Sequence, residues 1–367
     1  MKKDSWNAWC LANPAVAELL KVMIAYENDP SRLVWSQALV EPTNIEDRRD
    51  YAEKVLAIAK ANRSGDVVEE ALIWLIGVAP AYFDTSDADR IIEKDYLQSE
   101  NLAALCWNYI LPPHTASKEH LLSQLINESP HERVRAHALF CLAASKLSTD
   151  PELAKQLFKK VSEEYSSIEA VEPRDSLELF SKAGAAWSVE PKVSLVLASV
   201  VEQIFRPFPL GSAAQQCLFE LEHLSVGAQA QPTIGTDADG KVMKLDDYRG
   251  KIVMLVFFGD WCQPCRSMYP HEWSLVQQFK SQPFTIVGVN SDPADLLKKI
   301  IEEKTVQWPC FWDGGSNGGP IASQWQVQAW PTVYILDDKG VIRFTNPPRD
   351  LEGLSKCMTQ LLAEMKH

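Results

Sequence analysis

The sequence predicts two domains of different class: an all-α, repeat-like region over residues 1–224, then an α/β region over residues 225–367. Three observations carry this. The length, 367 residues, exceeds one ordinary domain. Glycine is uneven, with four in residues 1–226 and twelve in residues 227–367; helical bundles exclude glycine, and turn-rich sheets use it. Finally, apolar residues recur at three- and four-residue spacing as far as Leu224, after which short uninterrupted apolar runs take over.

The helical region is read from its periodicity. Ala52 to Ala61, Val67 to Val78 and Leu102 to Ile110 carry the helical spacing, and Asn, Asp, Ser and Pro punctuate them, as at Asn28-Asp29-Pro30 and Asn127-Glu128-Ser129-Pro130. The clearest pair is Glu132 to Leu147 followed by Pro151 to Tyr165, with Asp150 as cap and Pro151 in a first helical position. Ala136, Ala143 and Ala144 let the two helices approach, and Phe158, Val161 and Tyr165 fall where the second packs on the first. The pair resembles a tetratricopeptide repeat. Trp35, Trp74, Trp107 and Trp187 are read as core, and Cys10, Cys106, Cys141 and Cys217 as small buried hydrophobes. His114, His120, His131 and His137 lack metal-ligand spacing; the last two are six apart, on different helix faces.

The second region reads element by element. Gly235 to Lys241 is a hairpin turn with Asp239-Gly240 at its tip. Lys251 to Phe258 and Phe284 to Val289 are buried strands. A helix opening at Trp261-Cys262-Gln263-Pro264-Cys265 carries Met268, Trp273, Val276 and Phe279. Pro293 to Glu303 is helical, Thr332 to Leu336 and Val341 to Phe344 form a hairpin, and Leu351 to Met365 is a closing helix. Cys310 is placed in a buried strand or strand end and Cys357 on a core-facing helix side.

The cysteine spacing carries the chemistry. A strand that ends in Cys-x-x-Cys at a helix start puts the first sulfur beyond the helix N-terminus, where unpaired N–H groups and the dipole favour a thiolate. The second sulfur lies about one turn on, within bonding distance. Cys262 can then attack a disulfide and Cys265 can resolve the mixed disulfide, while Pro264 stiffens the turn.

These residues resemble a known family. Trp261-Cys262-Gln263-Pro264-Cys265-Arg266 matches the Trp-Cys-x-Pro-Cys-Lys/Arg site of thioredoxin-like proteins, Pro270 their helix-kinking proline, and Trp330-Pro331-Thr332 their cis-proline loop. Leu245 to Lys251 and Gly288-Val289-Asn290-Ser291-Asp292 look like the TlpA/ResA branch of the AhpC/TSA-type redoxins. The resemblance spans about residues 225–365. It implies a thioredoxin fold, a central mixed sheet flanked by helices. It also implies thiol-disulfide exchange with protein partners, without metal or organic cofactor. Cys262, Cys265 and Pro331 are the implied catalytic residues, and Trp261, Pro264, Trp330 and Thr332 the implied substrate contacts. Two acids of the wider family are absent: Val256 stands six residues before the first cysteine and Met268 three after the second. Asp260, His271 and Glu272 lie near in sequence.

Other readings are weaker. A zinc site would need a second cysteine pair at suitable spacing, and a peroxiredoxin a Thr-x-x-Cys site; neither is present. Gly314 to Gly319 is followed by no Lys-Ser/Thr and reads as a surface loop, not a phosphate cradle. A net charge of −13, −11 of it over residues 1–226, argues against nucleic acid and anionic membranes. The longest apolar run, Ala71 to Phe83, is thirteen residues, short of the roughly 20 that span a bilayer. Met1 to Asn7 lacks the apolar stretch of a secretory signal, so a cytoplasmic protein is expected; export would require a leader already removed. The alternative function is a scaffold: the helical region binds a protein partner and the redox fold is kept mainly for structure.

Overall fold

A computed structural model describes residues 45–61, 66–78, 83–110, 114–171, 208–316 and 318–365. Cys10, Trp35 and Trp187 lie outside the described residues. The chain divides into two compact units, 1–218 and 219–367.

In the first unit the described elements are helices: α1 (Ile45–Ala61), α2 (Asp66–Val78), α3 (Ser86–Asp95), α4 (Leu102–Cys106), α5 (Ala116–Glu128), α6 (Glu132–Ser145) and α7 (Pro151–Glu164), followed by α8 (Leu210–Phe219). The pair α6 and α7 forms as its sequence requires. The Asp150 carboxylate accepts the Leu153 N–H at 3.0 Å, and Pro151 occupies the first turn. Ala136, Ala143 and Ala144 are fully buried, and Phe140 meets Phe158 edge-on at 5.3 Å. Val161 is buried and Tyr165 half-buried. Trp107 is core, whereas Trp74 is half-buried. His137 is fully buried; its Nδ1 donates to the Arg133 carbonyl at 2.7 Å and its Nε2 accepts the Val171 N–H at 2.8 Å. Burial pushes that imidazole down to about 4, so it is a neutral structural pin.

The second unit is built on a seven-stranded mixed sheet. Its elements are β1 (Ile234–Thr236), β2 (Val242–Lys244), β3 (Ile252–Phe258), α9 (Gln263–Gln278), β4 (Phe284–Asn290), α10 (Ala294–Glu302), β5 (Cys310–Trp312), α11 (Pro320–Gln324), β6 (Thr332–Leu336), β7 (Ile342–Thr345) and α12 (Leu351–Glu364). The order across the sheet is β2-β1-β5-β4-β3-β6-β7. Strands β3, β4 and β5 run parallel; β6 pairs antiparallel with β3, and β1 antiparallel with β5. This is the thioredoxin fold.

Strand β3 is buried along its whole length, and the two-residue period of a strand divides it between two cores. Ile252, Met254, Val256 and Phe258 pack with Met268 and Leu275 of α9 and Leu354, Met358 and Leu361 of α12. Val253, Leu255 and Phe257 pack on the opposite face with Trp325 and Tyr334. Strand β5 opens at Cys310, buried as the sequence placed it, whereas helix α11 is not resolved by periodicity. Between them Asp313, buried, accepts the N–H groups of Ile321 and Ala322 at 2.7 and 2.9 Å. Gly314 to Ser316, and Gly318 with Gly319, thus lead into a short helix. Gly288 on β4 is required by crowding: a Cβ there would lie 2.6 Å from Cys310 Sγ and 2.7 Å from Phe258 Cε1. Among the described residues no helix is long and apolar enough to cross a membrane.

Candidate redox site

Parallel pairing of β3 with β4, and antiparallel pairing with β6, brings three chain segments to one end of the sheet. They are the loop after Phe258, the Ser291-Asp292 turn after Asn290, and the Trp330-Pro331 turn before Thr332. In register, Phe258 faces Asn290 and Phe257 faces Thr332.

The loop Gly259 to Trp261 delivers the cysteines to the start of α9. Cys262 is the N-cap residue and Pro264 sits in the first turn, where a missing N–H costs nothing. Cys262 and Cys265 are joined in a disulfide. The Cys265 N–H donates to Cys262 Sγ at 3.2 Å, so the first sulfur takes the place of a capping oxygen at a helix N-terminus. Both cysteines are buried, and Cys265 lies on the core-facing stripe of α9 with Met268, Tyr269, Glu272 and Leu275.

Trp261 is 51% exposed. Its indole N–H donates to Ser291 Oγ at 3.2 Å, and its ring covers Gly259, where a Cβ would strike Nε1 at 2.2 Å. Trp330 faces it, with ring centroids 5.9 Å apart. The Trp330–Pro331 peptide bond is cis. Arg349, half-buried, donates to the Pro331 carbonyl at 3.1 Å, and burial lowers its pKa. Thus Trp261, Cys262, Cys265, Trp330 and Pro331 lie at one end of the sheet. Pro264 is exposed on the helix start. Thr332 is buried, and its hydroxyl donates to the Ala329 carbonyl at 2.7 Å, which holds the turn.

The absent acids are replaced by apolar groups: Val256 and Met268 are both buried. Of the three nearby polar residues, His271 donates from Nδ1 to the Arg349 carbonyl at 3.0 Å, on the α12 side. Asp260 is half-buried, and the Tyr269 hydroxyl donates to it at 3.5 Å. Glu272 is 1% exposed, and burial pushes its carboxyl up to about 8. Cys310 is buried beside this cluster, and burial raises its thiol well above the ordinary value. Cys106, Cys141, Cys217 and Cys357 are buried. Among the described residues no group of three or more His, Cys, Asp or Glu could hold a metal ion.

A dithiol/disulfide pair at a helix start, opposed by a cis-proline turn on a mixed sheet, defines an oxidoreductase of the thioredoxin-like class. The AhpC/TSA family matches residues 226–345. Thiol-disulfide oxidoreductase ResA of Bacillus thuringiensis subsp. konkukian is 30% identical over 122 residues, covering 33% of this chain and 69% of the relative. The protein of the same name from Geobacillus kaustophilus is 31% identical over 121 residues, covering 33% and 68%. A solved thioredoxin domain of a thiol-disulfide oxidoreductase from Bacteroides vulgatus is 25% identical, covering 36% of this chain and 98% of its own, with a TM-score of 0.33. The chain belongs to the AhpC/TSA family, as a TlpA/ResA-like redoxin.

Proposed function

We propose that the protein exchanges the Cys262/Cys265 dithiol with a disulfide on a protein partner. The observation that carries this reading is the placement of Cys262 as the cap of α9, accepting the Cys265 N–H, beside an exposed tryptophan. In the reduced protein the same N–H and the helix dipole stabilise a Cys262 thiolate. That thiolate attacks one sulfur of the partner disulfide; a mixed disulfide forms and the other partner sulfur leaves as a thiolate. Cys265 then gives up its proton and attacks Cys262 Sγ. The second partner sulfur leaves, and the two electrons of the dithiol have passed to the partner. Trp261, Trp330 and the Pro331 turn are the surface the partner chain meets, and Pro264 stiffens the helix start. The helical unit is the candidate docking surface for that partner.

Cys265→Ser removes the resolving step and leaves the attacking one. The expected result is a mixed disulfide that accumulates through Cys262 and dissolves on addition of dithiothreitol. Mass spectrometry of the adduct reads which cysteine is linked. An adduct through Cys310, or none with a competent disulfide substrate, contradicts the proposal.

A further inference from the structure

Asn290, Ser291 and Asp292 form a cradle under the cysteine loop, and one of its groups is left unused by the exchange chemistry. The Ser291 N–H donates to the Phe258 carbonyl at 3.0 Å, and its hydroxyl receives the Trp261 indole N–H at 3.2 Å. Asp292 is fully buried. Its Oδ2 accepts the Asp260 N–H at 2.8 Å and the Asn290 amide N–H at 2.7 Å, and its own N–H donates to Asn290 Oδ1 at 3.0 Å. Among the described residues Asp292 Oδ1 has no hydrogen-bond partner. Both bonds to the carboxyl therefore come from donors. A buried carboxylate with one oxygen unpaired is costly, and its placement calls for a reason.

Asp260 precedes Cys262 by two residues. An extended chain advances at most about 3.6 Å per residue, so the charge lies within roughly 10 Å of the Cys262 backbone. At that range, in a buried setting, a negative charge opposes a second one. Tyr269 and Glu272 of α9, Asp260 of the loop and Cys310 of β5 share this neighbourhood, and the Tyr269 hydroxyl is held neutral first by burial and then by nearby carboxylates, Asp260 and Asp292 among them.

We infer that Asp292 is a positioning residue for the redox pair: its carboxylate tethers the cysteine loop through Asp260 N–H and disfavours the Cys262 thiolate, which keeps the pair reducing. The helix terminus pulls Cys262 toward the thiolate; Asp292 pulls the other way. A less stable thiolate means a less stable reduced form, hence a disulfide that is harder to reduce. The inference rests on Cys262 and Cys265 being the redox site.

Asp292→Asn separates charge from tether. The amide oxygen can take the place of Oδ2 and keep both bonds, and the NH₂ group falls where Oδ1 has no partner. In the reduced full-length protein, the pH profile of Cys262 alkylation, read by mass spectrometry, is expected to shift down by about half a unit or more. The equilibrium with glutathione is expected to shift at least about threefold toward the dithiol. A merely structural role predicts the opposite sign, since a loosened loop weakens the helix cap and raises the Cys262 midpoint; an unchanged or raised midpoint overturns the inference. Hydrogen exchange of the wild-type Asp260 amide needs no variant: slow exchange is expected, and exchange at the rate of an open loop overturns the tether. Neither readout depends on turnover. A wild type that fails to exchange with disulfides therefore sinks the proposed function, and the Cys262 comparison still decides the role of Asp292.

Discussion

Replacing Cys262 with serine is expected to abolish turnover of a disulfide substrate, by about a thousandfold or more, the scale on which loss of an attacking nucleophile is felt. A serine hydroxyl can keep the capping position and accept the Cys265 N–H, so α9 should start where it does now. What it cannot do is ionise near neutral pH or form a sulfur–sulfur bond. The control is Cys310→Ser. Cys310 is buried, its sulfur donates to the Trp308 carbonyl at 3.5 Å, and burial holds its thiol neutral, so it is unsuited to attack. Its replacement should leave turnover near the wild-type rate. Steady-state reduction of an insoluble or chromogenic disulfide compares the three proteins. Activity that survives Cys262→Ser and disappears with Cys310→Ser would move the chemistry to β5.

The second large effect is on stability. Glu272 sits at 1% exposure on the core side of α9, and its carboxyl is raised to about 8 by burial, against an ordinary 4.5. The unfolded chain loses this proton near pH 4.5, and the folded chain keeps it to about pH 8. Between those values the folded state binds more protons than the unfolded state, so unfolding free energy falls as pH rises. The stabilisation is complete below the unfolded value and is lost as pH climbs through the folded one. The slope is about 1.4 kcal/mol per pH unit, or several kcal/mol across the window. Glu272→Gln removes the titration and should flatten this part of the profile. Denaturant midpoints followed by circular dichroism from pH 5 to pH 8 give the comparison. Parallel profiles for the wild type and Glu272→Gln would show that Glu272 ionises in the folded protein as it does in water.

The parts of the fold that the sequence made legible are those with local signatures. Ile252 to Phe258 is apolar at every position because both of its faces are covered, and that run is visible without a structure. The cap of α7 is visible in Asp150-Pro151, and the redox pair in a cysteine spacing that places two sulfurs one helical turn apart. The cis turn was readable only through the Trp-Pro-Thr resemblance, since the residues alone do not distinguish cis from trans. Helix α11 escaped because its five residues, Pro320–Gln324, are too few to show a period. The cradle under the loop escaped for a different reason: Asp292 and Asp260 are 32 positions apart, and only the parallel pairing of β3 with β4 brings them together. His137 has no metal-ligand spacing in the sequence; its role comes from two backbone partners, one of them 34 residues away. Thr332 matched a family position, yet its hydroxyl is spent on the turn itself, a distinction that depends on rotamer and burial.

The central claim is that Cys262 and Cys265 act together as a two-electron couple. It is tested most directly by equilibrating the full-length protein in a series of glutathione buffers, trapping free thiols by acid quench and alkylation, and reading each cysteine by mass spectrometry. The account predicts that Cys262 and Cys265 pass from disulfide to dithiol along one shared curve with two-electron slope. Cys106, Cys141, Cys217, Cys310 and Cys357 should stay reduced throughout. A shared transition between Cys310 and either member of the pair, or no transition at Cys262 and Cys265 over the whole series, would contradict it.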